Sequence, residues 1–164
     1  MQRREARALR RARGATTLAV DVAADGVRLP LSRQRLRRLA QDVLRRESVR
    51  HAILSFAFVD TKTMVSLNRR VFGHRRPTDV ITLSFRSPND RAPVVADVYV
   101  APEVVRRNAD AAGVAAREEL ARVVVHGVLH ALGMTHPEGD RRERSAMWRR
   151  QERLLATAKR DGLW

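Results

Sequence analysis

The 164-residue chain contains no cysteine. Disulfides, thiolate metal sites and cysteine nucleophiles are thereby excluded, and a reducing cytoplasm suits such a chain. Lysine is almost missing too: of 33 basic residues, all but Lys62 and Lys159 are arginine. Codon usage in a GC-rich genome is enough to produce that bias. No apolar run approaches the roughly 20 residues needed to cross a bilayer. The arginine-rich residues 1–14 are followed by no apolar stretch of signal-peptide length. Glu5 and the absence of serine there argue against a mitochondrial presequence. The expectation is a cytoplasmic protein with no membrane partner and no disulfide partner.

Positive charge is what the chain has in excess. Its formal net charge is +15 and its sequence pI about 11.7, a balance that attracts polyanions such as nucleic acid or an anionic membrane surface. Codon bias exchanges lysine for arginine but does not create net charge. Residues 1–50 hold 14 arginines against five acids, a balance of +9. Within them, residues 1–14 read as a basic arm, either a solvated tail or a grip on phosphates. Residues 15–164 read as one domain, because a hydrophobic fraction of 44% over that length is ample for a core.

Four strands are predicted, over residues 16–22, 51–59, 79–85 and 94–100, and five helices. Ser32 can cap a helix in which Leu36, Leu39, Val43 and Leu44 recur at helical spacing, with most of its arginines on the other face. Asp60 or Thr61 opens a short helix through Met64, Leu67 and Val71, which Gly73 and Pro77 end. Ser87-Pro88-Asn89-Asp90 is turn chemistry. Pro102 starts a helix reaching residue 112, a long helix covers 115–132, and a last one covers 138–159 with Met147, Gln151, Leu154, Leu155 and Ala158 inside. Strands and helices in this order make an α+β domain without repeats.

Candidate chemistry is concentrated in one segment. Residues 123–134 read VVVHGVLHALGM, with no charged residue after Arg122. His126 and His130 are four apart and share a helical face. Gly133 is a natural helix stop, and His136 can fold back towards the same point. Two neighbouring buried imidazoles need partners for four ring nitrogens, and each one left unpaired costs roughly 1–3 kcal/mol. A metal ion satisfies one nitrogen of each ring. Three imidazoles leave the fourth corner of a tetrahedron open, the layout of a catalytic zinc site. One Zn2+ per chain on His126, His130 and His136 is therefore expected. The spacing H-x3-H-x5-H is also that of the metzincin peptidases, which carry a glutamate after the first histidine. Gly127 stands there instead, so peptide hydrolysis lacks its general base.

These residues resemble the signature of the YbeY endoribonucleases, which act in ribosomal RNA maturation. His126-Gly127-Val128-Leu129-His130 with Gly133 and His136 is similar to that family's H-G-x-L-H-L-x-G-Y-D-H. Leu67-Asn68, Pro77-Thr78-Asp79-Val80, Leu83-Ser84-Phe85, Ala96-Asp97-Val98 and Glu119-Leu120 resemble further blocks of the family in the same order. The resemblance covers roughly residues 50 to 155. It implies a small mixed four-stranded sheet with a zincin-like metal helix, one zinc on the three histidines, and single-strand-specific RNA cleavage in ribosomal RNA processing and ribosome quality control.

The chain departs from the family pattern at several positions. Val71-Phe72 replace a tyrosine-arginine pair whose arginine is thought to assist at the phosphate, Met134-Thr135 replace tyrosine-aspartate, and Ala96 replaces a glycine. Ile81-Thr82 stand as two extra residues. Catalytic residues stay unassigned for that reason. Arg70, Arg75 and Arg76, with Arg69, flank the position of the missing arginine and are candidates for phosphate binding; solvated loop arginines are the simpler reading. The alternative function is a non-catalytic RNA- or ribosome-binding assembly factor with a structural metal.

Overall fold

The computed structural model describes residues 16–85, 92–137 and 143–164. The basic arm over 1–14 and the turn at Ser87-Pro88-Asn89-Asp90 lie outside the described residues. Among those described, the elements run β1 (Thr17–Ala23), α1 (Arg33–Arg46), β2 (His51–Phe58), α2 (Thr61–Phe72), β3 (Val80–Ser84), β4 (Val94–Val100), α3 (Pro102–Ala112), α4 (Ala116–Ala131) and α5 (Ala146–Arg160). The sheet is mixed, in the order β1-β2-β4-β3. β1, β2 and β4 are parallel and β3 is antiparallel to β4. No helix among the described residues is long and apolar enough to cross a membrane.

Alternation along the strands decides what each sheet face covers. Val20 and Val22 of β1, Leu54, Phe56 and Phe58 of β2, and Ala96, Val98 and Val100 of β4 point into one core with α1, α4 and α5. Each fully buried leucine, valine or phenylalanine there contributes roughly 1.5–3 kcal/mol. The opposite face carries a smaller cluster, in which Met64 of α2 meets Ile81, Ala101 and Val104. α2 therefore lies across the sheet from α4 and reaches the histidine cleft only with its C-terminal residue Phe72.

Local signals explain most boundaries. The Ser32 side chain accepts the amide of Arg35, and Asp60 accepts that of Thr63, so α1 and α2 begin where a cap satisfies free N–H groups. That hydrogen bond from the Thr63 amide holds the Asp60 carboxyl below its usual pKa. One boundary differs from expectation. α5 begins at Ala146, where Ser145 caps it by accepting the Trp148 amide, and not at residue 138; Glu143 and Arg144 form only a 3-10 turn. Residues 138–142 lie outside the described residues. The inner face of α2 also differs: Val71 is exposed and Asn68 is buried.

Arginines expected on the solvated side of α1 are partly engaged. Arg37 donates to the Val20 carbonyl at 2.9 Å, Gln41 to that of Leu18 at 3.0 Å, and Arg33 to that of Ala24 at 2.9 Å. β1 is an edge strand, and these side chains occupy carbonyls that would otherwise template further pairing. Part of the basic excess thus serves the fold.

Candidate metal centre

α4 is the most enclosed helix. Glu118 and Glu119 occupy its first turn, where carboxylates suit the helix dipole, and beyond Arg122 its residues are buried on nearly every side. Close approach to the sheet depends on Gly127. A Cβ there would sit 2.8 Å from Val98 Cγ1, a buried side chain with no room to swing aside. From β3, Thr82 and Ser84 donate their hydroxyls to the carbonyls of Gly127 and Ala131. The position where a metzincin peptidase would carry its glutamate is therefore the helix's contact point with the sheet.

α4 ends in a turn that builds the site. Gly133 takes φ +84, the left-handed conformation that favours glycine. Its amide donates to the His130 carbonyl, and the Met134 amide to that of Leu129, the paired hydrogen bonds of a Schellman motif. The reversed chain brings the Met134 carbonyl within 2.9 Å of His130 Nδ1 and carries His136 back to the helix. His126 Nε2 then lies 2.9 Å from His130 Nε2 and 3.3 Å from His136 Nε2. The expected three histidines are together.

Each ring is oriented from behind. His130 Nδ1 faces the Met134 carbonyl, and His136 Nδ1 faces the Pro137 carbonyl at 2.8 Å. Carbonyls only accept, so both Nδ1 atoms carry hydrogen. His126 Nδ1 is 2.7 Å from Gln151 Oε1, while Gln151 Nε2 donates to Glu152 Oε1 at 3.0 Å. The carboxylate fixes which way the amide faces, and hence makes His126 Nδ1 a donor as well. Neutral rings in this tautomer turn their Nε2 lone pairs towards one another, an arrangement a shared cation stabilises.

The donor set fits zinc. Two nitrogens held tetrahedrally at about 2.0–2.1 Å from one ion are separated by about 3.3 Å, close to both observed spacings. These three histidines also form the described group of histidine and carboxylate ligands able to meet on one ion; Asp79 lines the same cleft without joining it.

Gln151 orients His126 within the site, and the sequence showed it only as part of an apolar helical face. A fully buried glutamine among Met147, Leu154 and Leu155 was the available signal. Its support extends further. Glu152 also accepts from Arg122, which binds Glu118 and Glu119. Burial opposes the Arg122 charge, but the hydrogen bonds and charges of Glu152 and Glu119 outweigh it and raise its pKa.

The histidines open into a cleft of about 390 Å³ that is also lined by Phe72, Thr78, Asp79, Val80, Ile81, Thr82 and the 133–135 turn. The candidate phosphate-binding arginines are not brought into it. Arg70 lines a neighbouring depression with Lys62, Ser66 and Tyr99. Arg75 and Arg76 are exposed on the loop after α2, where buried Asn68 holds the Arg76 carbonyl at 2.7 Å. Phe72 occupies the cleft wall instead.

Comparison with known proteins bears on the same residues. The family model described as Endoribonuclease YbeY matches residues 23–159. The chain belongs to the YbeY endoribonuclease family. It is 35% identical to Endoribonuclease YbeY of Frankia casuarinae over 151 residues, covering 85% of this chain and 74% of that protein. Endoribonuclease YbeY of Thermobifida fusca is 33% identical, with 88% and 96% covered. A Thermotoga maritima protein solved in solution has the same fold, with a TM-score of 0.59 and 23% identity over 87% of this chain and 91% of that one.

Proposed function

We propose that the chain is a zinc-dependent, single-strand-specific endoribonuclease of ribosomal RNA processing and ribosome quality control, acting in the cytoplasm. The observation that carries this reading is the convergence of three Nε2 atoms whose rings are each held from behind. Zinc held there supplies Lewis acidity at a phosphoryl oxygen and lowers the pKa of water towards about 7. His126, His130 and His136 bind it through Nε2. Gln151 and the carbonyls of Met134 and Pro137 keep the Nδ1 hydrogens in place, so no ring can turn away. The buried wall of α4 excludes water from behind the histidines, while the open cleft leaves room for a strand on the α2 side. In this reading Arg70, Arg75 and Arg76, which stand outside the cleft, grip phosphates away from the scissile one, and a phosphate backbone is what a +15 chain attracts.

One observation favours a second reading. Among the described residues lining the cleft there is no arginine or lysine, and a cation is the usual aid to a developing phosphorane charge. A ribosome-assembly factor with a structural metal fits that lack. The deciding experiment is cleavage of a short single-stranded RNA by highly purified protein, with chelator and His130→Ala controls. Cleavage lost in both controls establishes the nuclease. No cleavage, with ribosome association retained by His130→Ala, establishes the assembly factor.

A further inference from the structure

Phe72 is spent in a way that burial does not explain. It is the last residue of α2 and remains 53% exposed, although the chain has only four phenylalanines. It lines the cleft that holds the three histidines. Gly73, at φ +76, turns the chain immediately behind it, and the hydrogen bond from Asn68 to the Arg76 carbonyl fixes the loop that follows. The ring is thereby carried on a helix end tied at both sides. Arg69, Arg70, Arg75 and Arg76 surround it in sequence and are exposed. An exposed aromatic ring beside several cations is the pattern that single-stranded nucleic acid uses: phosphates pair with the cations, and a base covers the ring.

We propose that Phe72 is the platform on which one unpaired nucleobase stacks at the mouth of the histidine cleft. The inference rests on the nuclease reading above and adds what the site recognises. A base in a duplex has both faces covered by its neighbours, so only an unstacked one can lie on Phe72. Preference for single strands then follows from a ring and not from base-edge hydrogen bonds, and sequence preference at this position is weak, because every base has a π face. A phenylalanine where an arginine would bind phosphate exchanges charge recognition for base recognition at the same wall.

The test uses metal-loaded protein and a short RNA carrying 2-aminopurine or an abasic ribose at each position in turn. Binding is read by stopped-flow fluorescence before cleavage proceeds. Wild-type protein should quench 2-aminopurine at one position next to the cleaved bond. Phe72→Ala should abolish that quench and weaken binding by about 5–150-fold, the range expected for one stacked base, while retaining bound metal. Phe72→Trp should restore both. An abasic ribose at that position should weaken wild type by the same factor and leave Phe72→Ala unaffected. If wild type binds and cleaves RNA but no position is coupled to Phe72, the platform is refuted and the nuclease reading stands. If wild type binds no RNA, both fall. If Phe72→Ala keeps its RNA affinity and loses a ribosomal protein, the ring is a protein contact and the proposal is overturned.

Discussion

The two walls of the histidine cleft are built on opposite plans. The inner wall, α4 and α5, is buried, and its polar atoms face fixed partners: His126 on Gln151, Gln151 on Glu152, Glu152 on Arg122. The outer wall, formed by the end of α2 and the loop after it, holds the exposed Phe72, with Arg75 and Arg76 exposed on the same loop outside the cleft. The contrast separates two tasks. Holding an ion demands positions accurate to a fraction of an ångström, which packing and outer hydrogen bonds supply. Receiving a flexible polyanion demands accessible charge and ring surface, which a solvated loop supplies.

The largest expected effect breaks the inner wall at a ligand. His126→Ala should leave bound metal far below the roughly one ion per chain expected of wild type, measured by metal analysis after purification without chelator or a nickel column. Wild type that itself holds little metal and gains none from added zinc would sink the metal site.

Gly127→Glu tests the same wall through packing. With Val98 Cγ1 only 2.8 Å from where a Cβ would stand, even small overpacking costs about 1–3 kcal/mol, and a buried carboxylate adds to it. Thermal melts should show a strongly destabilised or insoluble protein, and peptidase assays should stay blank. Peptidase activity in a stable Gly127→Glu protein would mean that the helix does not pack on the sheet as described.

Gln151→Leu sharpens the comparison, because it roughly keeps volume and removes the partner of His126 Nδ1 together with the hydrogen bond to Glu152. Metal affinity in a chelator competition should fall by about 10–100-fold, with the fold retained by circular dichroism. Undiminished affinity would reduce Gln151 to a packing residue.

The outer wall and the basic arm should yield the smallest effects, and effects of another kind. Arg75→Ala with Arg76→Ala should leave metal content unchanged and flatten the log–log salt dependence of RNA binding, each lost phosphate contact lowering the slope by about 0.7. Deletion of residues 1–14 removes six arginines and Glu5 and should act likewise, without altering the cleavage pattern. Unchanged slopes would make these arginines solvated surface; loss of metal on deleting the arm would place the arm against the domain.

Legibility from sequence followed distance along the chain. The strands and caps were readable because their causes are local: alternating apolar residues, Ser32 and Asp60 before their helices, Gly73 after α2. The start of α5 was misplaced because the charged run from Asp140 to Arg144 hid Ser145 as the cap. Met64, Leu67 and Val71 recur at helical spacing, but spacing alone does not say which stripe of a short helix is covered, and Val71 is exposed. The tertiary placement covers Asn68 instead, tied to the Arg76 carbonyl.

The sequence by itself determined the convergence of the three histidines of the candidate metal centre. His126 and His130 share a face because a helix repeats every 3.6 residues, and Gly133 supplies the left-handed turn that returns His136. These relations span eleven residues and need no other part of the chain. Only the tertiary structure decided what stands around them. Gln151 reaches His126 from 25 residues away in sequence, Phe72 rather than an arginine faces the cleft, and Arg33 and Arg37 turn back to the edge of β1. Each of these depends on how helices cross the sheet, and that is set by summed packing over the whole core, which no local pattern encodes.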